Sequence, residues 1–346
     1  MKISFKNDYA EGAHPMILEA LMRTNAVQQA GYGNDSYSAA AKELIKNKIE
    51  NPKAQIFFVS GGTQANMLVI GTLLRTYQSV IAPETGHIAD NETGAIEAVG
   101  HKIHLAPATN GKITPESIAD FATRYTNYPH QVQPRLVYIT NATEIGTIYT
   151  LAELKAIYEC CQAHNLLLFM DGARLGSALN VEDNDIQWKD LARYTDVFYI
   201  GATKNGGLLG EAIVINNPAL TDGFEYYLKQ QGALLAKGRL LGLQFLTLFE
   251  NGLYDALALH ANKQMKRIKE AFVANGYTLL SDTCTNQLFP ILTHTQIAAL
   301  AEQFDFYQWQ KVDETHTAIR LISSWATTDA QVDTLIQAIQ SLAVTQ

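Results

Sequence analysis

The sequence predicts an α/β protein: a large domain built on a mostly parallel, seven-stranded sheet sandwiched by helices, followed by a smaller α+β domain. Seven short apolar runs, at 56–60, 80–83, 103–105, 136–140, 166–170, 197–200 and 212–215, alternate with stretches of helical spacing. That alternation favours an open, largely parallel sheet. Several runs are apolar almost throughout, as strands covered on both faces require. A chain of 346 residues, 47% hydrophobic, is long enough for one large core and a second, smaller one.

The elements follow in order. Residues 14–23 carry apolar residues at helical spacing, with Pro15 suited to a first turn. A glycine-rich turn, Gly31-Tyr32-Gly33-Asn34-Asp35, leads into a helix-like run over 36–49. Thr63 opens a helix to residue 75, and Thr114-Pro115-Glu116 opens another. Thr150 and Glu153 form a capping box ahead of an amphipathic run to residue 164. After Asn216 the pattern changes to a long helical stretch over 223–251. Helices and short strands over 260–275, 277–280, 295–304 and 318–323 follow, and a last helix starts at Thr328 with Gln331 as capping partner. We expect an N-terminal segment over 1–35, a large domain over 36–250 and a small domain over 251–346. The first two dozen residues are expected to return to the small domain.

Composition narrows the function. A net charge of −8 and a pI of about 5.6 argue against nucleic-acid binding. Lys263, Lys266, Arg267 and Lys269 read as a solvated helix face. Cys160, Cys161 and Cys284 make neither a disulfide framework nor a metal spacing, so no metal is expected. The N-terminus lacks an apolar signal core and no run approaches a membrane span. The expectation is a cytoplasmic protein without a membrane partner.

The chemistry gathers at strand ends. Lys204, in Thr203-Lys204-Asn205-Gly206, follows the run at 197–200; burial there would favour a neutral amine able to form a Schiff base. The bland alternative is a loop lysine with its ammonium in water. Ser60-Gly61-Gly62-Thr63 joins a strand to a helix, where free N–H groups and the Thr63 hydroxyl could cradle a phosphate, although such turns are often only structural. Asp171 emerges at the end of another strand in Met170-Asp171-Gly172-Ala173-Arg174. It could merely cap a helix, or keep a pyridinium nitrogen protonated, as pyridoxal phosphate chemistry needs. Arg174 could pair with a phenolate, a phosphate or a substrate carboxylate. His87, after a further strand, suits ring stacking or proton transfer, though a lone loop histidine often does nothing.

At these residues the chain resembles the fold type I pyridoxal-phosphate enzymes, and more closely the threonine aldolase and β-eliminating lyase family. The resemblance runs from Asn7-Asp8 through Tyr32-Gly33-Asn34-Asp35, Ser60–Asn66, His87 and Asp171–Arg174 to the lysine strand. It implies that Lys204 carries pyridoxal 5'-phosphate as a Schiff base, Asp171 partners the ring nitrogen, His87 stacks on the ring, and Gly62 and Thr63 hold the phosphate. It also implies that Arg320, aided by Asn7 and Arg174, binds the substrate carboxylate. An arginine in so apolar a run needs an anionic partner in any case. The family further implies a homodimer or homotetramer with interfacial sites, where Tyr32, and Lys237 with Arg239, could reach a neighbour's cofactor; Lys237 and Arg239 as exposed helix residues are the equal alternative.

One departure stands out. Where threonine aldolases carry a histidine near the substrate hydroxyl, this chain has Glu144, in Thr143-Glu144-Ile145-Gly146. Glu144 could accept the hydroxyl proton if burial raises its pKa, bind a substrate tail, or brace the loop. The implied activity is cleavage of L-threonine-like β-hydroxy-α-amino acids, small-molecule substrates, to glycine and an aldehyde, with Lys204, His87 and Glu144 as the catalytic groups. A β-eliminating lyase on another amino acid, an aminotransferase and a non-catalytic cofactor-binding protein are the alternatives.

Overall fold

The computed structural model describes residues 2–344; residues 1, 345 and 346, at the outer ends of the expected N-terminal segment and small domain, lie outside it. All seven apolar runs are strands of one sheet. They are β1 (Gln55–Val59), β2 (Gln78–Pro83), β3 (Lys102–Ala106), β4 (Gln133–Thr140), β5 (Leu167–Asp171), β6 (Val197–Gly201) and β7 (Glu211–Ile215), in the order β1-β7-β6-β5-β4-β2-β3. Strands β3, β2, β4, β5 and β6 run parallel to one another, whereas β7 is antiparallel to both β6 and β1. The β6–β7 connection is too short for a crossover, so a hairpin-like turn reverses the chain.

Because side chains alternate along a strand, the sheet feeds two cores. Ile81, Ile139, Leu168, Met170, Phe198 and Ile200 face one, with Ile45, Leu154 and Phe245 from covering helices. Val80, Tyr138, Phe169, Val197 and Tyr199 face the other, beneath Leu68, Val69 and Leu228. The capping box at Thr150 forms in both directions: Thr150 Oγ1 accepts from Glu153 N at 3.2 Å and Glu153 accepts from Thr150 N at 2.8 Å.

A third core gathers Phe5, Met265, Ile268, Phe272, Leu288, Leu300, Ile319 and Leu335 beside a small antiparallel sheet of Ile291–Thr293, His316–Ile322 and Tyr307–Lys311. The helix Leu253–Ala274 joins the cores, with Tyr254 and Leu257 in the first and Met265, Ile268 and Phe272 in the third. Its start seven residues before the expected one reflects that change of partner.

Three expectations need correction. The stretch at 223–251 is two helices, Phe224–Gln230 and Arg239–Glu250. Gly232, at φ +70°, ends the first, and the intervening loop docks on the Tyr32 turn, where Tyr32 N donates to Ala236 O at 3.1 Å. Residues 277–280 form no strand but one bridge, Leu279 to Pro290. Of the first two dozen residues, only the start returns to the third core: Ile3–Ser4 pairs with Phe304–Asp305, and Ile322 N donates to Phe5 O at 2.8 Å. The helix Pro15–Thr24 instead buries Ile17 in the large core.

Candidate active site

The residues singled out at strand ends sit on one edge of the sheet, at the carboxyl ends of β1, β2, β4, β5 and β6. Ligands of open α/β sheets lie at this edge.

Asp171 closes β5, between Tyr138 of β4 and Tyr199 of β6. Its carboxylate accepts from four donors: Tyr138 Oη at 2.6 Å, Asn66 Nδ2 at 3.2 Å, Ala173 N at 3.0 Å and Tyr199 Oη. Burial and the Asp171 charge push both phenols well above their ordinary pKa, so they remain donors. Both tyrosines face the core beneath the helix Gly62–Leu73. Asp171 caps no helix: the next one starts at Leu175 and has no side-chain cap.

The helix Gly62–Leu73 begins at an extended Gly61 with no side-chain cap, leaving its first N–H groups for an anion. A side chain at Gly62 would place Cβ 2.9 Å from Tyr199 Oη, so only glycine lets the helix start lie against the Asp171 cluster. Thr63 is exposed at the same end. One turn on, the buried Asn66 amide donates to Glu92 at 2.8 Å as well as to Asp171. The same Glu92 oxygen lies 2.9 Å from His87 Nδ1. His87, Glu92, Asn66 and Asp171 thus form one connected chain.

Glu144 lies beside His87. Its Oε1 accepts the His87 backbone N–H at 2.9 Å and its Oε2 the Thr140 hydroxyl at 2.9 Å, so both oxygens are pinned. Burial, reinforced by Asp171, raises its pKa to about 7.

Lys204 stands in the β6–β7 turn, which is braced by Ala202 N to Gly210 O at 3.0 Å, Gly210 N to Thr203 Oγ1 at 3.0 Å and Asn205 Nδ2 to Tyr254 O at 2.8 Å. Burial, then the Arg174 charge, lowers the pKa of the Lys204 amine, opposed by Asp8, Asp171 and Glu211. This is the direction a nucleophilic amine needs. Glu211, the first residue of β7, is buried beneath the turn and its carboxyl is raised by that burial.

Arg174 points one edge of its fork at the fully buried Asp8: Nε to Oδ2 at 2.8 Å and Nη2 to Oδ1 at 3.0 Å. Asn286 also donates to Asp8, at 2.9 Å. Arg320 meets no acidic side chain in an ion pair among the described residues, and its Nε is buried without a hydrogen-bond partner. Burial and Arg174 push its pKa down. Arg174 and Arg320 thus both feel the charge of one carboxylate, Asp8.

Asn7, next to Asp8, spends its Oδ1 on Tyr9 N at 3.0 Å. Tyr32 is not gathered into the cluster: it is 47% exposed, with Lys229 Nζ 4.5 Å from its ring. Arg239 binds Val27 O and Thr24 O, both at 2.6 Å, so its fork serves its own chain; Lys237 is exposed. Sequence reasoning missed Tyr138, Tyr199, Glu92 and Asn286 as site residues, and named Asp8 and Asn66 only within motifs. Only the polar character of Asn66 and Glu92 so close to a glycine turn and to His87 could have signalled them.

Residues 7–295 match the β-eliminating lyase family. The low specificity L-threonine aldolase of Pseudomonas aeruginosa is 35% identical over 347 aligned positions, covering 98% of this chain and 95% of its own. The threonine aldolase of Leishmania major superposes with a TM-score of 0.97 at 45% identity and covers 99% of each chain. The serine palmitoyltransferase of Sphingomonas wittichii, at a TM-score of 0.74 and 15% identity, covers 99% of this chain and 87% of its own and shares the fold.

Proposed function

Because the chain belongs to the β-eliminating lyase family, we propose that it is a pyridoxal 5'-phosphate-dependent lyase that cleaves L-threonine, L-allo-threonine and similar β-hydroxy-α-amino acids to glycine and an aldehyde. The residues at the sheet edge fit that cofactor. The uncapped start at Gly62 and Thr63 offers N–H groups to its phosphate. Asp171, ringed by four donors, offers a fixed anion to its ring nitrogen, and Lys204 offers an amine lowered toward neutrality. When bound, the cofactor supplies the electron sink for the carbanion left at Cα.

The chain's own groups do the rest. Arg320, with the free edge of Arg174 and with Asn7 alongside, anchors the substrate carboxylate and so sets which bond at Cα stands ready to break. His87 is held by Glu92 through Nδ1, which fixes the plane of its imidazole for stacking on the ring. Glu144 takes the proton from the β-hydroxyl as the Cα–Cβ bond breaks, and the aldehyde leaves. One observation carries the aldol reading: Glu144 is a pinned, buried carboxyl with a pKa of about 7, suited to proton transfer at neutral pH.

We also take the protein to act in the cytoplasm as a homodimer or homotetramer with interfacial sites reached by Tyr32. The reading is supported by exposed Met16, Leu18, Met22, Val27 and Tyr32 along the N-terminal segment, and no helix among the described residues is long and apolar enough to cross a membrane. We keep 36–250 as the cofactor-binding domain and 251–346 as the small domain.

The test is a panel of L-threonine, L-allo-threonine, L-serine and L-cysteine given to the holoenzyme. Acetaldehyde and glycine from the two threonines support the aldolase. Ammonia and a keto acid from any substrate would show β-elimination, and an unchanged cofactor spectrum throughout would show a binding protein.

A further inference from the structure

Arg320 solves an unusual electrostatic problem. It lies in the strand His316–Ile322, in an apolar setting that calls for an anion, yet aromatic rings surround it instead. Its guanidinium carbon is 5.0 Å from the centroid of Tyr307 and 4.6 Å from that of Trp309. Both belong to Tyr307–Lys311, an edge strand whose polar residues are exposed. Tyr307 pairs directly with Arg320 across the ladder. Trp309 does not pair: the register slips between Gln308, opposite Ile319, and Gln310, opposite Ala318. Trp309 is the extra residue of a β-bulge, a device that re-aims a side chain. Phe289 fixes the indole from behind, edge to face at 5.4 Å.

We infer that Tyr307 and Trp309 form an aromatic clamp that replaces an acidic partner for Arg320 and thereby sets the enzyme's affinity for the substrate carboxylate. The negative face of a ring attracts a guanidinium but carries no net charge. A carboxylate clamp would hold the arginine equally well and neutralise it, as Asp8 does for Arg174. The rings hold it while leaving its full charge for the incoming carboxylate. Tyr307 and Trp309 are positioning residues, acting through Arg320. The inference rests on the reading of Arg320 as the carboxylate anchor.

Two small aminooxy compounds separate the steps. Aminooxyacetate carries a carboxylate and O-methylhydroxylamine does not. Both condense through nitrogen with the cofactor carbonyl carbon, releasing the Lys204 amine, and both change the cofactor's absorption. In holoenzyme carrying Trp309→Leu or Tyr307→Leu, the rate with aminooxyacetate should fall about five- to thirtyfold. The rate with O-methylhydroxylamine should stay within about twofold, and Trp309→Phe should restore most of the first. For L-threonine the same variants should raise KM by more than they lower kcat. Equal slowing of both reagents would overturn the clamp, because it would mean general damage to the site. So would normal rates in the leucine variants while Arg320→Leu slows aminooxyacetate alone; Arg320 would then be the anchor without needing the rings. If Arg320→Leu itself leaves aminooxyacetate unaffected, the carboxylate reading of Arg320 fails first.

Discussion

Replacing Glu144 with glutamine tests the catalytic assignment and its physical cause together. Glutamine keeps an oxygen for the His87 N–H or the Thr140 hydroxyl but removes the titrating group. In the folded protein the Glu144 carboxyl holds its proton to about pH 7, against 4.5 for an ordinary glutamate. Between those values the folded state binds more protons than the unfolded chain, so this group's contribution to stability falls as pH rises from about 4.5 to about 7 and stays low above. A gap of about 2.5 pH units at about 1.36 kcal/mol each makes the cost about 3 kcal/mol at pH 8. Glu144→Gln should therefore gain about 2.5 kcal/mol relative to the parent protein between pH 5 and pH 8, measured by urea unfolding at each pH. Activity should move the other way. The parent's kcat for L-threonine, followed by reduction of acetaldehyde with alcohol dehydrogenase, should rise with a midpoint near pH 7 as Glu144 ionises. The variant should lose about 100- to 10,000-fold and show no such limb. A variant within about threefold of the parent that keeps the same limb would refute Glu144 as the base.

Other perturbations have equally direct outcomes. Gly62→Ala forces a Cβ to within 2.9 Å of Tyr199 Oη; cofactor affinity should fall by about 1–3 kcal/mol, read from cofactor retained after dialysis, and unaltered retention would contradict the close packing. Asp171→Ala leaves the Tyr138 and Tyr199 hydroxyls and an Asn66 N–H without an acceptor, at about 1–3 kcal/mol for each buried group. Its melting temperature and its turnover should both fall, while Asp171→Asn recovers part of the first and none of the second. Asp8→Asn breaks a buried ion pair and should cost about 3–5 kcal/mol in urea unfolding at pH 7. The Arg174 partnership holds the Asp8 pKa below its ordinary 3.8. The stability Asp8 lends is therefore present above that value and lost as pH falls through the lowered one; a loss below about 1 kcal/mol at pH 7 would show the pair to be idle.

What the sequence revealed tracks what is local. The seven strands were legible because a doubly covered strand must be apolar over consecutive residues. Lys204, Asp171 and His87 were legible because each ends or follows such a run. Asp8 and Arg174 are 166 positions apart, and no periodicity announces their pairing. The chain from His87 through Glu92 and Asn66 to Asp171 exists only once β2, β5 and the helix at Gly62 converge. The strand Tyr307–Lys311 escaped notice because it is an exposed edge: Gln308, Gln310 and Lys311 hide its pattern, and the bulge at Trp309 breaks the period of two. The helix expected over 223–251 failed at Gly232, whose left-handed backbone outweighed the apolar spacing on either side.

The central claim is that this sheet edge breaks the Cα–Cβ bond. Uniformly carbon-13-labelled L-threonine, incubated with holoenzyme and followed by NMR, reports that bond directly. Labelled glycine and acetaldehyde in equal amounts, absent with Lys204→Ala, are the predicted result. Labelled 2-oxobutanoate with all four carbons still joined would contradict it.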